Sequence, residues 1–272
     1  MNFELLFDPL FARPFAIGLV FAALLPLLGC YLRLREEWLA ALALAQMAAA
    51  GALLSLLTSL PLMAGGLAGA FAAVALKYAY EGGQRHRQGA AYALLLLIGW
   101  GISVLLVSNL PLADRVGHAL FDGQLYFTEV PHLVAAVACA AMVAGGLWRL
   151  SPRLLTAHFF PDFFRSRGGS AKRIGLLFDV LVAATLALAT MSIGVMSAFA
   201  LIFVPPWLAF RQAQSWRGAQ MRAVTLGVMA YTLAFVLALM LDQPFGPLLV
   251  LVLAAAGLSV AFWQRLHDSP RA

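Results

Sequence analysis

The sequence predicts an all-α fold, a polytopic membrane bundle of about nine transmembrane helices, and two observations support this. Hydrophobic residues make up 63% of the 272 residues and charged residues only 11%, with a mean hydropathy of +0.89. Apolar stretches of about 20 residues, the length that crosses a hydrocarbon core as a helix, recur along the chain. Helices are the expected form of each stretch because lipid cannot satisfy backbone hydrogen bonds.

The first four spans are apolar runs bounded by charged or turn-forming connections, and they are predicted at 13–33, 38–57, 61–80 and 90–108. The second and third are dense in Ala and Gly, as in the run from Ala48 to Ala52. Small side chains let membrane helices approach closely, so a tightly packed bundle is expected.

The remaining five spans are predicted at 131–150, 174–192, 194–210, 222–241 and 246–264. The sixth and seventh share one apolar run from Ile174 to Phe210, which is broken only at residues 191–194. No soluble stretch is long enough for a second domain, so residues 1–272 are expected to form a single transmembrane domain.

The connections alternate in charge. Most of the basic residues lie in the connections after the odd-numbered spans or within one helical turn of those connections: Arg33, Arg35, Lys77, Arg85, Arg87, Arg149, Arg153, Arg165, Arg167, Lys172, Arg173, Arg211, Arg217, Arg222, Arg265 and Arg271. Because Lys and Arg favour the cytoplasmic side, we predict an external N-terminus and an internal C-terminus. This placement also accounts for the net charge of +6 without a nucleic acid partner.

The longest external connection, residues 109–130, combines acidic residues and His118 with apolar pairs such as Leu120-Phe121 and Tyr126-Phe127. Two interpretations remain open. It forms either a re-entrant helix at the mouth of a pathway or an amphipathic cap at headgroup level.

Gln46 and Met47, both inside the second span, each have a structural and a functional interpretation. Gln46, in the middle of the second span, is expected either to make an interhelical hydrogen bond or to face a pathway. Asp179 is expected to pair with Arg173 or Lys172 near the cytoplasmic interface. Met47 is either a soft metal ligand or a packing residue, and the two cysteines are expected to be buried.

The sequence contains no nucleophile triad, no zinc-protease motif and no phosphate-binding loop. We therefore expect no catalytic residues and no bound cofactor in this chain, and any ATP to be bound by a partner protein.

Five segments, in order, resemble the permease subunit of bacterial ABC importers for zinc and manganese. They are the opening FELLFDPLFARPFAIGLVFAALLPLLGCYLRLR, then HALFDGQLYFT, FFPDFFRSRGGSAKRIGLLFD, IGVMSAFALIFVPPWLAF and LDQPFGPLLVLVLAAAGL. The resemblance implies a cytoplasmic (inner) membrane protein of a bacterium that imports a divalent metal by alternating access. It implies four kinds of partner: a second copy of the chain, cytoplasmic ABC ATPase subunits, an extracytoplasmic substrate-binding protein and the lipid bilayer.

The resemblance also gives a role to residues 207–218, WLAFRQAQSWRG, as a coupling helix that fits a groove on the ATPase. The implied coupling residues are Pro205, Pro206, Trp207, Phe210, Arg211, Gln212, Trp216 and Arg217. From the residues alone, the favoured interpretation of the same stretch is a solvated basic loop that only sets orientation.

The chain departs from the family in the second span, where the family carries an Asp and a His four residues apart. These positions are Leu42 and Gln46 here. Leucine cannot bind a metal, and an amide oxygen suits a hard ion better than zinc. The metal ligands are therefore unknown, and Leu42, Gln46 and Met47 are only pathway candidates. The alternatives are a chelated metal or small organic cargo, or a membrane assembly protein without an ATPase.

Overall fold

The computed structural model describes residues 9–58, 60–81, 88–123 and 130–267. Within these ranges the chain forms eleven helices: α1 Pro9–Arg35, α2 Trp38–Ser55, α3 Leu62–Glu81, α4 Gln88–Asn109, α5 Pro111–Asp122, α6 Val130–Phe159, α7 Pro161–Ser166, α8 Ala171–Ile193, α9 Val195–Gln212, α10 Trp216–Leu241 and α11 Phe245–His267. The described residues include no β-strand.

Nine of the described helices, all except α5 and α7, are long and apolar enough to cross a membrane. This confirms the nine predicted spans. The main difference is α6, which has 30 residues and continues well past the predicted end at residue 150. A helix of that length is about 45 Å long and exceeds the thickness of the hydrocarbon core. Leu154, past the predicted end, is still buried in the main hydrophobic core.

The connections rich in Arg and Lys lie together at one end of the bundle, which we call the basic end. The helices α1, α3, α6, α9 and α11 end there. The predicted basic residues Arg85, Arg87 and Arg271, and the external residues 124–129, lie outside the described residues.

Helix α2 is the central helix, and it is the most buried of the nine spans. Glycines permit its close packing on α3 and α4. A Cβ on Gly51 would lie 2.8 Å from the Cα of Gly69 on α3, and a Cβ on Gly99 of α4 would lie 2.9 Å from the carbonyl carbon of Gln46. The small residues of the second and third spans therefore pack as predicted.

The break between the sixth and seventh spans falls within the predicted residues. Helix α8 ends at Ile193, Gly194 adopts φ 88°, and α9 begins at Val195. The external connection forms the amphipathic helix α5, in which Ala113 and Leu120 are buried against α2 and α4 while Asp114 is exposed. Cys30 and Cys139 are buried as expected.

Candidate functional site

The three pathway candidates lie on α2, in the middle of the bundle. Gln46 is only 3% exposed, and Met47 is buried in the main hydrophobic core. Leu42 is partly buried and packs in a second cluster that joins α2 to α4 and α5.

The side-chain oxygen of Gln46 has no hydrogen-bond partner among the described residues. The interhelical bond that was one interpretation of this residue is therefore not made through Oε1. Ser103 on α4 and Thr190 on α8 also bury hydroxyl oxygens without a partner in the described part of the chain. Burying an unsatisfied polar group is unfavourable, so these three oxygens are candidates for contact with water or cargo.

The described residues contain no group of three or more His, Cys, Asp or Glu side chains placed to hold a metal ion. Of the two positions Leu42 and Gln46, only Gln46 offers a side-chain oxygen, and that oxygen belongs to a neutral amide. A single neutral amide oxygen is a weak ligand for zinc.

The stretch 207–218 consists of two helix ends and a short turn. Helix α9 continues to Gln212, and α10 begins at Trp216 after the cap residue Ser215. The structure therefore shows no separate helix in this stretch, and only residues 213–215 are non-helical.

The predicted coupling residues divide into a packed set and an exposed set. Pro205 and Pro206 are buried, and Trp216 packs edge-on against Phe210 with ring centroids 5.7 Å apart. The exposed residues are Arg211, Gln212 and Arg217, and the Arg211 guanidinium lies 4.0 Å from the centroid of the partly buried Trp207 ring. Only the exposed set presents polar groups to a partner.

A second segment at the basic end exposes more aromatic surface than residues 207–218 do. Helix α7 and the end of α6 present the aromatic side chains of Phe159, Phe160 and Phe163, each more than half exposed. In the sequence, these residues belong to the segment FFPDFFRSRGGSAKRIGLLFD, which is one of the five that carry the family resemblance. Exposed aromatic residues beside basic ones are typical of a protein interface.

The strongest electrostatic feature is a buried cluster at the basic end, which we call the charge network. It comprises Arg35, Glu37, Lys77, Tyr78, Tyr92 and Asp179. The Lys77 ammonium lies 2.6 Å from Asp179 Oδ2 and 3.4 Å from Glu37 Oε2. Each carboxylate is also bound by Arg35, with Nη1 2.7 Å from Asp179 Oδ1 and Nη2 2.9 Å from Glu37 Oε1.

Two tyrosines complete the network. The Tyr78 hydroxyl donates to Asp179 at 3.0 Å, and the Tyr92 hydroxyl donates to Glu37 at 3.0 Å. Two positive and two negative side chains therefore balance one another. Removing one partner of such a buried pair typically costs about 3–5 kcal/mol, because it leaves an uncompensated charge.

The predicted partners of Asp179 were wrong. Arg173 is six residues away on the same helix, about 9 Å along its axis, whereas Arg35 and Lys77 reach Asp179 from α1 and α3. The network as a whole was missed. One signal was present, since Lys77 and Asp179 both lie inside predicted spans at similar depths from the cytoplasmic side.

A cavity of about 570 Å³ adjoins the network. It is lined by the connection from Leu34 to Leu39, by Gly89 and Tyr92 of α4, and by His158 near the end of α6. Because Arg35, Glu37 and Tyr92 contribute to this lining, the network has open space along one side.

Residues 8–264 match the model of the ABC 3 transport family. The chain is 25% identical over 262 residues to the chelated iron transport system membrane protein YfeD of Yersinia pestis, covering 93% of this chain and 86% of that protein.

Two solved structures share the fold. One is PsaBC from Streptococcus pneumoniae in complex with Fab, with a TM-score of 0.82 at 18% identity, covering 94% of this chain and 92% of that one. The other is described as "An inward-facing conformation of a putative metal-chelate type ABC transporter", with a TM-score of 0.73 at 16% identity, covering 96% of this chain and 88% of that one.

Proposed function

The chain belongs to the ABC 3 transport family, and from this membership we propose that it imports a divalent transition metal, zinc or manganese, by alternating access. It is a multi-pass permease subunit of an ABC transporter in the cytoplasmic membrane of a bacterium. The match over residues 8–264, together with the nine spans, is the observation that supports the proposal most strongly.

The proposed mechanism assigns bond-making to partners. Cytoplasmic ATPase subunits bind and hydrolyse ATP, and an extracytoplasmic binding protein delivers the cargo. This chain supplies the pathway and the coupling surface. The relatives support partners of these two kinds, because their names describe an ABC transporter, a transport system and a PsaBC assembly.

A second cargo class is a chelated metal or a small organic ligand. Leu42 and Gln46 favour it, because they replace a metal-binding pair with an apolar side chain and a neutral amide. The curated relative and the second solved structure both carry chelate in their names, which supports the same class.

For coupling, we propose that residues 207–218 contact the ATPase, with Arg211, Gln212 and Arg217 as the exposed contacts. The exposed phenylalanines of α7 make a second surface at the same end of the bundle. Both surfaces suit an ATPase groove, and a charge introduced on each in turn separates their contributions.

We also propose a homodimer whose two copies meet along α6, the least buried of the nine spans. One face of α6 is exposed along the helix, and its residues recur at helical spacing. We call this face the α6 outer face, and it consists of Val134, Ala138, Ala141, Gly145 and Trp148. Its small central residues allow two helices to approach closely. A Cβ on Gly145 meets nothing within 4 Å in the single chain, so the groove there is open.

The proposed function is tested by the metal content of cells that lack this chain and of complemented cells, both grown with a chelator. Loss of zinc or manganese, restored by the intact gene, supports the proposal and identifies the metal. Unchanged zinc and manganese, with reduced uptake of a labelled metal chelate, would favour the second cargo class.

A further inference from the structure

We propose that the charge network is the joint through which movement at the basic end of α8 is passed to α2, the helix that carries Leu42, Gln46 and Met47. In this role Asp179 is a positioning residue. The inference rests on the proposed function, since a joint of this kind acts only in a permease that an ATPase drives.

The input side of the joint is α8. Asp179 lies eight residues after the first residue of α8, Ala171, which is about 12 Å along the helix. The Ser170 side chain caps this helix by accepting from the Arg173 amide, and α7 with its exposed Phe163 directly precedes it. Residues 167–170 join α7 to α8, and from Ala171 onward a displacement reaches Asp179 through one continuous helix.

The output side is the start of α2. Glu37 occupies the N-cap position of α2 but makes no side-chain capping bond. Its carboxylate is instead bound by Arg35, Lys77 and Tyr92. The first turn of α2 is thus tied to the network, and Gln46 lies nine residues further on, about 13 Å along the same helix.

The geometry favours movement of the network as a unit. A Cβ on Gly175, one turn before Asp179, would lie 3.1 Å from the Tyr78 hydroxyl and 3.6 Å from Arg35 Nη2, so α8 lies directly against the cluster. Separating the balanced charges would expose each to a poorly solvated environment, which is costly. The adjoining cavity of about 570 Å³ leaves space into which the connection from Arg35 to Trp38 can move.

A network that transmits movement and a network that only holds the helices together predict different behaviour when the Lys77–Asp179 ion pair is removed without leaving a lone charge. The double variant Lys77→Met/Asp179→Leu does this, because Arg35 and Glu37 remain as a balanced pair. Replacing a buried ion pair by apolar residues of similar volume is often neutral or stabilising. A network that only holds the helices together therefore predicts normal transport wherever the double variant is stable.

The experiment uses the complex of this chain with its ATPase, reconstituted in liposomes with its binding protein. Thermal unfolding, ATP hydrolysis and uptake are measured with zinc, manganese and ferric citrate, each supplied alone. We expect the double variant to unfold at the wild-type temperature and to hydrolyse ATP, with uptake per ATP reduced roughly 5-fold or more, the usual lower range of coupling between sites. Wild-type uptake per ATP in a stable double variant would overturn the proposal.

The matched control is Thr185→Val, which removes a buried hydroxyl from the same helix away from the network. Its uptake per ATP is expected to equal that of the wild type. If the double variant does not assemble, Tyr78→Phe removes one hydrogen bond to Asp179 and leaves every charge in place. Its control is Tyr231→Phe, which removes a buried hydroxyl bond to the Phe15 carbonyl.

For this milder pair, reduced uptake per ATP in Tyr78→Phe alone supports the joint, and equal ratios in the two variants overturn it. Failure of the proposed function is distinguishable, because it appears in the wild type. A wild-type complex that neither hydrolyses ATP nor takes up any of the three cargoes would overturn both ideas.

Discussion

Gly123, directly after α5, and Gly194, between α8 and α9, pack backbone to backbone. A Cβ on Gly194 would lie 2.8 Å from the Gly123 nitrogen, and a Cβ on Gly123 would lie 2.8 Å from the Ile193 carbonyl carbon. Both glycines have positive φ, 82° and 88°. The end of α5 is therefore locked onto the break between two spans, at the end of the bundle opposite the charge network.

We expect Gly194→Ala to destabilise the protein. Gly194 combines φ 88° with ψ 161°, a region that is essentially restricted to glycine and costs other residues about 1–3 kcal/mol. The added methyl group would also collide with the Gly123 backbone. The measurement is thermal unfolding of the purified protein in detergent.

The matched control for this change is Gly101→Ala on α4, where a Cβ meets nothing within 4 Å and the backbone has no positive φ. There the substitution is expected to be neutral or slightly stabilising, since alanine favours helix more than glycine does. Equal unfolding temperatures for the two alanine variants would show that the packing at Gly194 does not limit stability.

The nine spans and the Gly194 break could be predicted from the sequence because hydropathy and a glycine between two apolar runs are local signals. The basic end could be predicted as well, because the basic residues of the connections determine the orientation in which the helices insert into the membrane. The extra length of α6 could not, because Arg149 and Arg153 end the apolar run while the helix itself continues to Phe159.

Depth within the spans was the one signal for the charge network, and its full set of partners could not be assigned because they are far apart in the sequence. Lys77 and Asp179 are separated by 102 residues, and Arg35 and Asp179 by 144. The nearby Arg173 was the better candidate on sequence distance alone. Helix geometry excludes it, since residues six apart do not share a face or a level.

If Gln46 lines the pathway, Gln46→His is expected to change the ratio of metals that the cell accumulates. An imidazole four residues after Leu42 supplies a nitrogen ligand that zinc prefers to an amide oxygen. We expect a several-fold rise in zinc uptake or retention relative to manganese, measured as total cell metal at equal protein amounts.

The matched variant is Gln46→Leu, which removes the buried polar group without adding a ligand. It is expected to leave the metal ratio unchanged. An unchanged ratio in Gln46→His, with normal amounts of protein in the membrane, would contradict the pathway role and return Gln46 to a structural one.

If residues 207–218 contact the ATPase, Arg211→Glu is expected to abolish stimulated ATP hydrolysis while membrane insertion remains intact. The side chain is exposed, and its contact with the Trp207 ring is of the kind worth about 0.5–1 kcal/mol at an exposed site, so the loss of stability should be small. The measurement is ATP hydrolysis by the purified complex with and without the binding protein.

The comparison variant is Phe163→Asp, which places a charge on the exposed surface of α7 at the same end of the bundle. Loss of stimulation in Arg211→Glu alone supports the contact at 207–218. Loss in Phe163→Asp alone would assign the contact to α7 and refute the role of Arg211.

If two copies meet along the α6 outer face, Ala141→Cys is expected to form a disulfide-linked dimer in native membranes under mild oxidation. Ala141 is exposed midway along that face, and in a two-fold arrangement the same residue of each copy comes near its counterpart. The native Cys30 and Cys139 are buried, so the background without the new cysteine should be low. Dimer formation is measured by non-reducing electrophoresis.

The control is Leu258→Cys, a position 72% exposed on α11 that is expected to face lipid. Cysteines that meet only by collision should cross-link slowly at both positions, whereas a defined interface makes Ala141→Cys the faster by a clear margin. Ala138→Cys and Gly145→Cys test the neighbouring turns of the same face. Because close approach of two α6 helices requires small side chains, Gly145→Leu is expected to weaken the Ala141→Cys cross-link, and an equally fast cross-link in that background would place the interface elsewhere.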